Sequence, residues 1–200
     1  MNQLVLDLSS GNTKVIEVAD PVLRSGGIIV KNYSSVISLG TERSLIQFAK
    51  KNLIGKAKDR PDLFKAFLDK AKRDGFLLAF SQAQKRLEKY FPVGYSSAGI
   101  VVAVADDVNE FKIGDKVACA GSEYAWHAGK IFVPKNLAVK IPDDVTFNEA
   151  SFTTLASIAL NGIRCVEPEI GETITVIGLG LIGLLTIQIA KAAGCKVIGI

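Results

Sequence analysis

Three glycines near the C-terminal end of the sequence have the spacing of a nucleotide-binding turn. In "TVIGLGLIGLL" they stand as Gly178, Gly180 and Gly183, the G-x-G-x-x-G pattern. The first glycine allows a tight turn, the second lets the backbone approach a pyrophosphate, and the third lets helix and strand pack closely. We therefore expect NAD or NADP to bind here. The residues predicted to hold it are Gly178, Leu179, Gly180, Leu181, Ile182 and Gly183.

The segments around these glycines predict the elements that a dinucleotide site needs. Residues 173–177 are typical of a strand, residues 184–194 have helical spacing, and residues 196–200 form a second apolar strand. The acidic residue that separates NAD from NADP is expected about 20 residues after Gly178, at or beyond Ile200. Two strands and one helix do not cover both faces of a parallel sheet, so we expect the chain to be a piece of a longer protein.

The composition is that of a soluble globular protein, with 48% hydrophobic and 22% charged residues. Cys119, Cys165 and Cys195 are far apart and form no C-x-x-C, which predicts buried, reduced thiols in a cytoplasmic protein. The N-terminal residues lack a basic segment followed by an apolar one, so no secretory signal is predicted. The apolar stretch near the C-terminus is explained by the glycine-rich helix and not by a membrane span.

Short strands are predicted on both sides of a different, helical segment. Strand patterns cover residues 1–40 and 94–141, with a turn at Asp106–Asp107. Many short strands at close spacing predict a small barrel or sandwich. A helix is expected over Phe147–Arg164, with Asn148 as its N-cap, joining the strands to the glycine-rich part.

Residues 43–90 are predicted to be a basic helical insert. They hold thirteen Lys and Arg against five Asp and Glu, a local charge of +8, while the rest of the chain sums to −4. Apolar residues recur at helical spacing from Pro61 to Gly75 and again from Phe76 to Leu87. The basic residues fit the solvated outer face of these helices better than a docking surface for an acidic ligand or partner, and no nucleic-acid-reading motif accompanies them.

Five stretches, taken in order, resemble the medium-chain dehydrogenase/reductase superfamily. They are SVISLGTER, PVGYSSAGIVVAV, FKIGDKVACA, VPKNLAVKIPDDVTFNEASF and TVIGLGLIGLL. Within that superfamily, the helical insert and the S-L-G-T-E-R and G-Y-S variants are most similar to the bi-domain oxidoreductases. The resemblance implies a mixed fold: a mostly β, GroES-like partial barrel over 1–146 with a helical insert at 43–91, then the start of an α/β Rossmann domain over 147–200.

The superfamily's zinc ligands are replaced in this sequence. Zinc-dependent members hold a catalytic zinc with a cysteine, a Gly-His-Glu motif and one further ligand. At those places the resemblance puts Ser38 and the triplet Gly94, Tyr95 and Ser96, which offer neither thiolate nor imidazole. The four-cysteine structural zinc lobe is absent as well, and His127 is a single imidazole with an expected surface or packing role. No zinc or other metal is therefore predicted.

The same resemblance indicates which side chains do the chemistry without zinc. Tyr95 would project into the substrate cleft, where its phenol can donate to a developing alkoxide. Thr41 matches the residue that begins the proton relay, Glu42 matches its acidic neighbour, and Ser38 could hydrogen-bond to substrate. Ser157 matches a position beside the nicotinamide. The alternatives are a half-buried aromatic ring for Tyr95, a turn hydroxyl for Thr41 and an ion-pair partner for Glu42.

These features predict an NAD(P)-dependent, zinc-independent oxidoreductase. It would transfer hydride between the nicotinamide and a carbonyl or alcohol, or an activated double bond, with the chain alone inactive. Two alternatives stay open: a zinc alcohol dehydrogenase whose ligands lie elsewhere, and a non-catalytic nucleotide-binding or interaction module. The expected partner is a small-molecule substrate, with neither nucleic acid nor membrane, and the resemblance is compatible with a homodimer.

Overall fold

The computed structural model describes residues 1–7, 10–38, 40–43, 47 and 90–200. The strands that it defines are β1 Asn2–Asp7, β2 Asn12–Glu17, β3 Gly27–Ser35, β4 Tyr90–Pro92, β5 Ser96–Val104, β6 Lys116–Ala120, β7 Lys130–Pro134, β8 Ala138–Lys140, β9 Thr173–Val176 and β10 Lys196–Gly199. The helices are α1 Phe147–Ala150, α2 Thr153–Val166 and α3 Leu181–Ala192. A short 3-10 turn joins β7 to β8.

The chain forms two compact units. The first unit contains Met1, residues 19–36 and residues 94–200, and the second unit contains residues 2–18 and 37–93. The first unit therefore holds β3, β5 to β10 and all three of the helices named above. The domain boundary predicted after residue 146 stays a prediction.

An antiparallel sheet of five strands forms the core of the first unit. Its strand order is β7-β3-β5-β6-β8, and successive side chains of each strand point to opposite faces. One face buries an aliphatic cluster that includes Val30, Val101, Val117 and Ile131. The other face places Ala98 and Ala118 against Ala150 of α1. The predicted strands over 94–141 are confirmed, with the turn at Asp106–Asp107 between β5 and β6.

The predicted N-cap of the joining helix is wrong. Thr146 caps α1: its hydroxyl accepts from the Glu149 N–H (3.3 Å), and the Glu149 carboxylate accepts from the Thr146 N–H (2.8 Å). This T-x-x-E capping box satisfies two free backbone donors at once, whereas a cap at Asn148 would satisfy one. The reciprocal bonds therefore start the helix at Phe147. The Thr146 hydroxyl also donates to the Glu149 carboxylate (2.7 Å), and this bond, together with the one from the Thr146 N–H, lowers the pKa of the Glu149 carboxyl.

The predicted single helix over Phe147–Arg164 is also wrong, because α1 and α2 are separate. At the junction, the Ser151 hydroxyl donates to the Asn148 carbonyl (2.7 Å) and the Thr153 hydroxyl donates to the Ala150 carbonyl (2.7 Å). Side-chain hydroxyls that bind nearby carbonyls give the backbone an alternative to continued helix. α2 then runs from Thr153 to Val166 and ends at Glu167, which has a left-handed conformation.

The predicted strand–turn–helix–strand unit is present at the C-terminal end. β9 and β10 are parallel, with Thr173 opposite Lys196 and Val176 opposite Gly199, and α3 connects them. α3 begins at Leu181, earlier than the predicted start at Leu184. A small cluster that includes Ala190 of α3 and Ile163 of α2 packs these two helices together.

The second unit contains an antiparallel sheet in the order β2-β1-β4. Val5 and Leu6 of β1 are buried in it. Residues 40–43 are helical. Most of the helical insert predicted over 43–91 lies outside the described residues, and its last two residues belong to β4.

The cysteines are only partly as predicted. Cys119 and Cys195 are buried, but Cys165 is exposed near the end of α2. Leu155, Ala159 and Ile163 form the buried side of that helix, and Cys165 does not fall on it. Across the described residues, no helix is long and apolar enough to cross a membrane.

Candidate functional site

Two of the fingerprint glycines hold the turn between β9 and α3 in a shape that other residues would not adopt. Gly178 has φ +97°, in the left-handed region that favours glycine. A methyl group on Gly183 would overlap the carbonyl oxygen of Gly178 and lie 3.1 Å from its carbonyl carbon. The third glycine thus lets the first turn of α3 contact the backbone at the end of β9, as the motif predicts.

The middle glycine leaves room for a ligand. Gly180 is the N-cap of α3, and a Cβ built on it meets no heavy atom within 4 Å. The first N–H groups of an α-helix have no partner within the helix, and the helix dipole favours an anion beside them. Open space next to such donors fits a dinucleotide pyrophosphate, which is the group that this motif binds.

The apolar residues of the fingerprint have different surroundings. Leu179 packs over β10, since a Cβ on Gly199 would lie 2.9 Å from Leu179 Cδ2. Leu181 is half-buried, whereas Ile182 is exposed beside the start of α3. Contact of Leu179, Leu181 and Ile182 with a cofactor stays a prediction.

Ser157 lies on an exposed part of α2, one turn after the start of that helix. Its hydroxyl donates to the Thr154 carbonyl (2.7 Å). The oxygen therefore keeps its lone pairs free to accept a hydrogen bond. The position beside a nicotinamide, predicted from the family, stays a prediction.

Tyr95 lies at the turn that leads into β5 and is half-buried. Its carbonyl accepts from the Gly121 N–H (2.9 Å), and the Thr154 hydroxyl lies 3.5 Å from the same oxygen. Gly94, directly before it, has φ +107°. The backbone that carries the phenol is thus fixed by neighbours from two other parts of the first unit.

Ser38, Thr41 and Glu42 belong to the second unit, whereas Tyr95, Ser157 and the fingerprint belong to the first. The structure brings Ser38 and Thr41 together: the Ser38 hydroxyl lies 3.3 Å from Thr41 Oγ1, and the Ser38 carbonyl accepts from the Glu42 N–H (2.9 Å). Ser38 is buried, Glu42 is half-buried and Thr41 is exposed. Their catalytic roles stay predictions.

The residues that the family resemblance places at the zinc positions are poor ligands for a zinc ion. The Ser96 hydroxyl is fully buried and donates to the Ser151 carbonyl (2.5 Å), so it is committed to the junction between α1 and α2. Burial raises the pKa of the Cys119 thiol to about 12, which disfavours the thiolate that zinc requires. Within the described ranges, no three His, Cys, Asp or Glu side chains are grouped closely enough to hold a metal ion.

We expect the protein purified without chelator to carry much less than one zinc per chain. Ser38, Tyr95 and Ser96 offer two hydroxyls and a phenol, which are poor zinc ligands at neutral pH. Metal content by mass spectrometry, with a zinc-dependent dehydrogenase purified in parallel as the positive control, measures this directly. One zinc per chain, removed together with activity by a chelator, would show that the ligands lie elsewhere.

Several contacts between β3 and the loop around His127 had no signal in the sequence. Asn32 on β3 donates from Nδ2 to the carbonyls of Trp126 (3.1 Å) and Ala128 (2.9 Å). His127, between those two residues, places Nδ1 2.8 Å from the Ser35 hydroxyl. The residues joined by these bonds are more than ninety positions apart, and no motif links them.

The sequence and the fold are similar to known proteins over part of the length of those proteins. No family model matches the sequence. L-arabinitol 4-dehydrogenase of Aureobasidium melanogenum is 33% identical over 130 residues, which is 52% of this chain and 35% of that protein. Galactitol-1-phosphate dehydrogenase from Escherichia coli has a TM-score of 0.74 at 20% identity, over 100% of this chain and 55% of that one. Escherichia coli quinone oxidoreductase, solved with NADPH, has a TM-score of 0.67 at 20% identity, over 100% and 52%.

The first part of a dehydrogenase fold is thus defined: a mostly β domain followed by the start of a Rossmann domain, as predicted. These likenesses to dehydrogenases and a quinone oxidoreductase agree with the resemblance of its motifs to the medium-chain dehydrogenase/reductase superfamily. It spans about a third of the length of the curated relatives that it matches, 35% in the arabinitol dehydrogenase. The narrower likeness to the bi-domain oxidoreductases stays a prediction.

Proposed function

We propose that this chain is the first part of an NAD(P)-dependent oxidoreductase that works without zinc. It would transfer hydride between a nicotinamide and a carbonyl or alcohol, or an activated double bond. The observation that carries the proposal is the open space at Gly180, at the start of α3. It is found together with the close packing of Gly183 against the Gly178 backbone. That combination suits a pyrophosphate better than it suits a bare turn.

The residues present fit a nicotinamide dinucleotide. The backbone around Gly180 would hold the pyrophosphate through the free N–H groups at the start of α3. A related fold, the quinone oxidoreductase of Escherichia coli, was solved with NADPH, which supports this class of cofactor. When bound, the nicotinamide supplies the hydride donor or acceptor, while the protein supplies orientation and electrostatics.

The substrate oxygen needs a group that stabilises its negative charge as hydride is transferred. In zinc-dependent members the metal does this. Here we assign the role to the phenol of Tyr95, which stands where the family resemblance places a zinc ligand. A phenol can donate one hydrogen bond to a developing alkoxide, and its backbone is held in place at both the carbonyl and the preceding glycine. Thr41 is the alternative donor.

Gly180→Val should weaken NADH and NADPH binding about tenfold or more, because the branched side chain would fill the space that the pyrophosphate needs. Fluorescence titration of the full-length protein with each nucleotide measures the Kd. Gly180→Ala should have a smaller effect in the same direction, since its side chain is shorter.

The matched control is Gly162→Val, the same change at an exposed position of α2 where an added Cβ also meets nothing within 4 Å. Its Kd should equal that of the unmodified protein. Unchanged affinity in a Gly180→Val variant with normal circular dichroism and thermal midpoint would overturn the nucleotide site. If the full-length protein binds nucleotide but transfers hydride to or from no carbonyl, alcohol or enone, the alternative of a non-catalytic binding module is favoured.

A further inference from the structure

The loop of residues 121–129, here called the His127 loop, is hydrogen-bonded to β3 by several groups. Asn32 donates from its side-chain amide to the carbonyls of Trp126 and Ala128, at 3.1 and 2.9 Å. Its backbone N–H also donates to the Gly129 carbonyl (3.1 Å). The carbonyl groups of the residues on both sides of His127 are therefore held by one residue of the central sheet.

The imidazole of His127 is held separately. Nδ1 lies 2.8 Å from the hydroxyl of Ser35, at the end of β3, and the ring is half-buried. A serine hydroxyl both donates and accepts, so this bond is available to the neutral and to the protonated ring. The side chain is thus fixed in direction as well as in position.

His127 packs directly against the residue before Tyr95. A Cβ on Gly94 would lie 2.6 Å from the His127 backbone nitrogen, 3.0 Å from the Trp126 carbonyl carbon and 3.1 Å from His127 Cδ2. The space beside Gly94 is therefore occupied by His127 and the peptide that precedes it. The left-handed conformation of Gly94, at φ +107°, is the shape that brings its backbone into this contact.

The opposite end of the same loop holds Tyr95 itself. The Gly121 N–H donates to the Tyr95 carbonyl at 2.9 Å. The His127 loop thus touches the Gly94–Tyr95 turn from both ends, with a hydrogen bond at one end and close packing at the other. A turn held in this way has few alternative conformations, so the direction in which the Tyr95 side chain leaves the backbone is restricted.

We propose that His127 is a positioning residue for Tyr95. The Ser35–His127 bond keeps the imidazole against Gly94, and this contact fixes the turn that aims the phenol. The proposal rests on the proposed role of Tyr95, because a fixed phenol has a kinetic consequence only if it contacts the substrate. Loss of the imidazole should then lower kcat by about tenfold or more with a smaller change in KM, since a loosely held donor spends less time in the productive geometry.

The first test reads the position of Tyr95 without any reaction. Full-length protein labelled with 3-fluorotyrosine gives a fluorine resonance for each tyrosine, and Tyr→Phe variants assign those of Tyr95 and Tyr124. In His127→Ala the Tyr95 resonance should shift or broaden. His127→Asn, which keeps a polar amide near the place of Nδ1, should restore it. Ser35→Ala should move the Tyr95 resonance in the same direction as His127→Ala does. If His127→Ala does not fold, the Ser35→Ala variant provides the test.

Tyr124 is the internal control because it belongs to the same loop and packs edge-on against Phe132, with ring centroids 6.4 Å apart. Its resonance should stay in place in all three variants. An unchanged Tyr95 resonance in both His127→Ala and Ser35→Ala would overturn the proposal. Equal shifts of Tyr95 and Tyr124 would also overturn it, since they would mean a general loss of loop structure.

The second test is kinetic and separates this proposal from the proposed function. If His127 acts through Tyr95, adding His127→Ala to Tyr95→Phe should cost little more than Tyr95→Phe alone. A full additional loss in the double variant would contradict positioning. If Tyr95→Phe keeps its full rate, the catalytic role of Tyr95 fails, while the fluorine spectra still decide whether His127 holds the turn.

Discussion

Gly183→Ala should destabilise the segment formed by β9, α3 and β10 by about 1–3 kcal/mol, because a Cβ has no room at this position. The added methyl group would overlap the Gly178 carbonyl oxygen and lie 3.6 Å from Val176 Cγ1. These neighbours are the backbone of a tight turn and the end of β9, so α3 must shift as a whole to make space. We expect a lower midpoint of urea unfolding and a larger loss of NAD(P)H affinity than for Gly180→Val, because the turn itself moves.

Gly162→Ala is the matched control for this change. Gly162 is also inside a helix, but a Cβ there meets nothing within 4 Å. Alanine is the better helix former by up to about 1 kcal/mol, so this variant should be at least as stable as the unmodified protein and should bind NAD(P)H normally. Equal stability changes in the two variants would contradict the packing explanation and leave helix propensity as the cause.

The fingerprint could be predicted from the sequence because its glycines are required by the local backbone conformation and packing. Gly178 supplies a left-handed conformation and Gly183 supplies a missing Cβ, and both needs arise within a few residues of chain. The strands of the central sheet were predictable for a similar reason. Short runs of strand-forming residues bounded by turn residues are a property of each strand by itself.

The start of the joining helix was mispredicted although its signal is present. Thr146 and Glu149 have the spacing of a capping box, which satisfies two backbone donors where the predicted cap at Asn148 would satisfy one. The break between α1 and α2 is harder to predict, because hydroxyls at Ser151 and Thr153 are compatible with a continuous helix. They bind carbonyls three residues earlier, and the sequence does not show which of the two arrangements is adopted.

The contacts between the His127 loop and β3 could not be predicted, because they join distant parts of the chain. Ser35 and His127 are 92 positions apart, and Asn32 and Ala128 are 96 apart. A serine, a histidine or an asparagine in such positions carries no periodicity and no motif. The sequence accordingly predicts only a surface or packing role for His127; its ring is half-buried, and its contact with Gly94 is visible only in the structure.

Tyr95→Phe should lower kcat/KM by about 10²-fold at an unchanged thermal midpoint, if the phenol donates to the substrate oxygen in the transition state. The substitution removes one hydrogen-bond donor and leaves the ring in place. The backbone contacts of Tyr95, through Gly121 and Gly94, do not involve its hydroxyl and should persist. The measurement is oxidation of NAD(P)H by the full-length protein, with the carbonyl or enone compound that the unmodified protein reduces fastest.

Tyr33→Phe is the control that separates this effect from the loss of any tyrosine hydroxyl. Tyr33 is 55% exposed and its ring stacks on Phe147, with centroids 4.9 Å apart, so loss of its hydroxyl should change neither rate nor stability. If Tyr95→Phe lowers both the rate and the thermal midpoint, the hydroxyl makes a hydrogen bond that stabilises the first unit. If Tyr95→Phe keeps its full rate, Tyr95 is a packing residue, and the proposed donor to the substrate oxygen becomes Thr41, with Thr41→Val as the variant that must then lose activity.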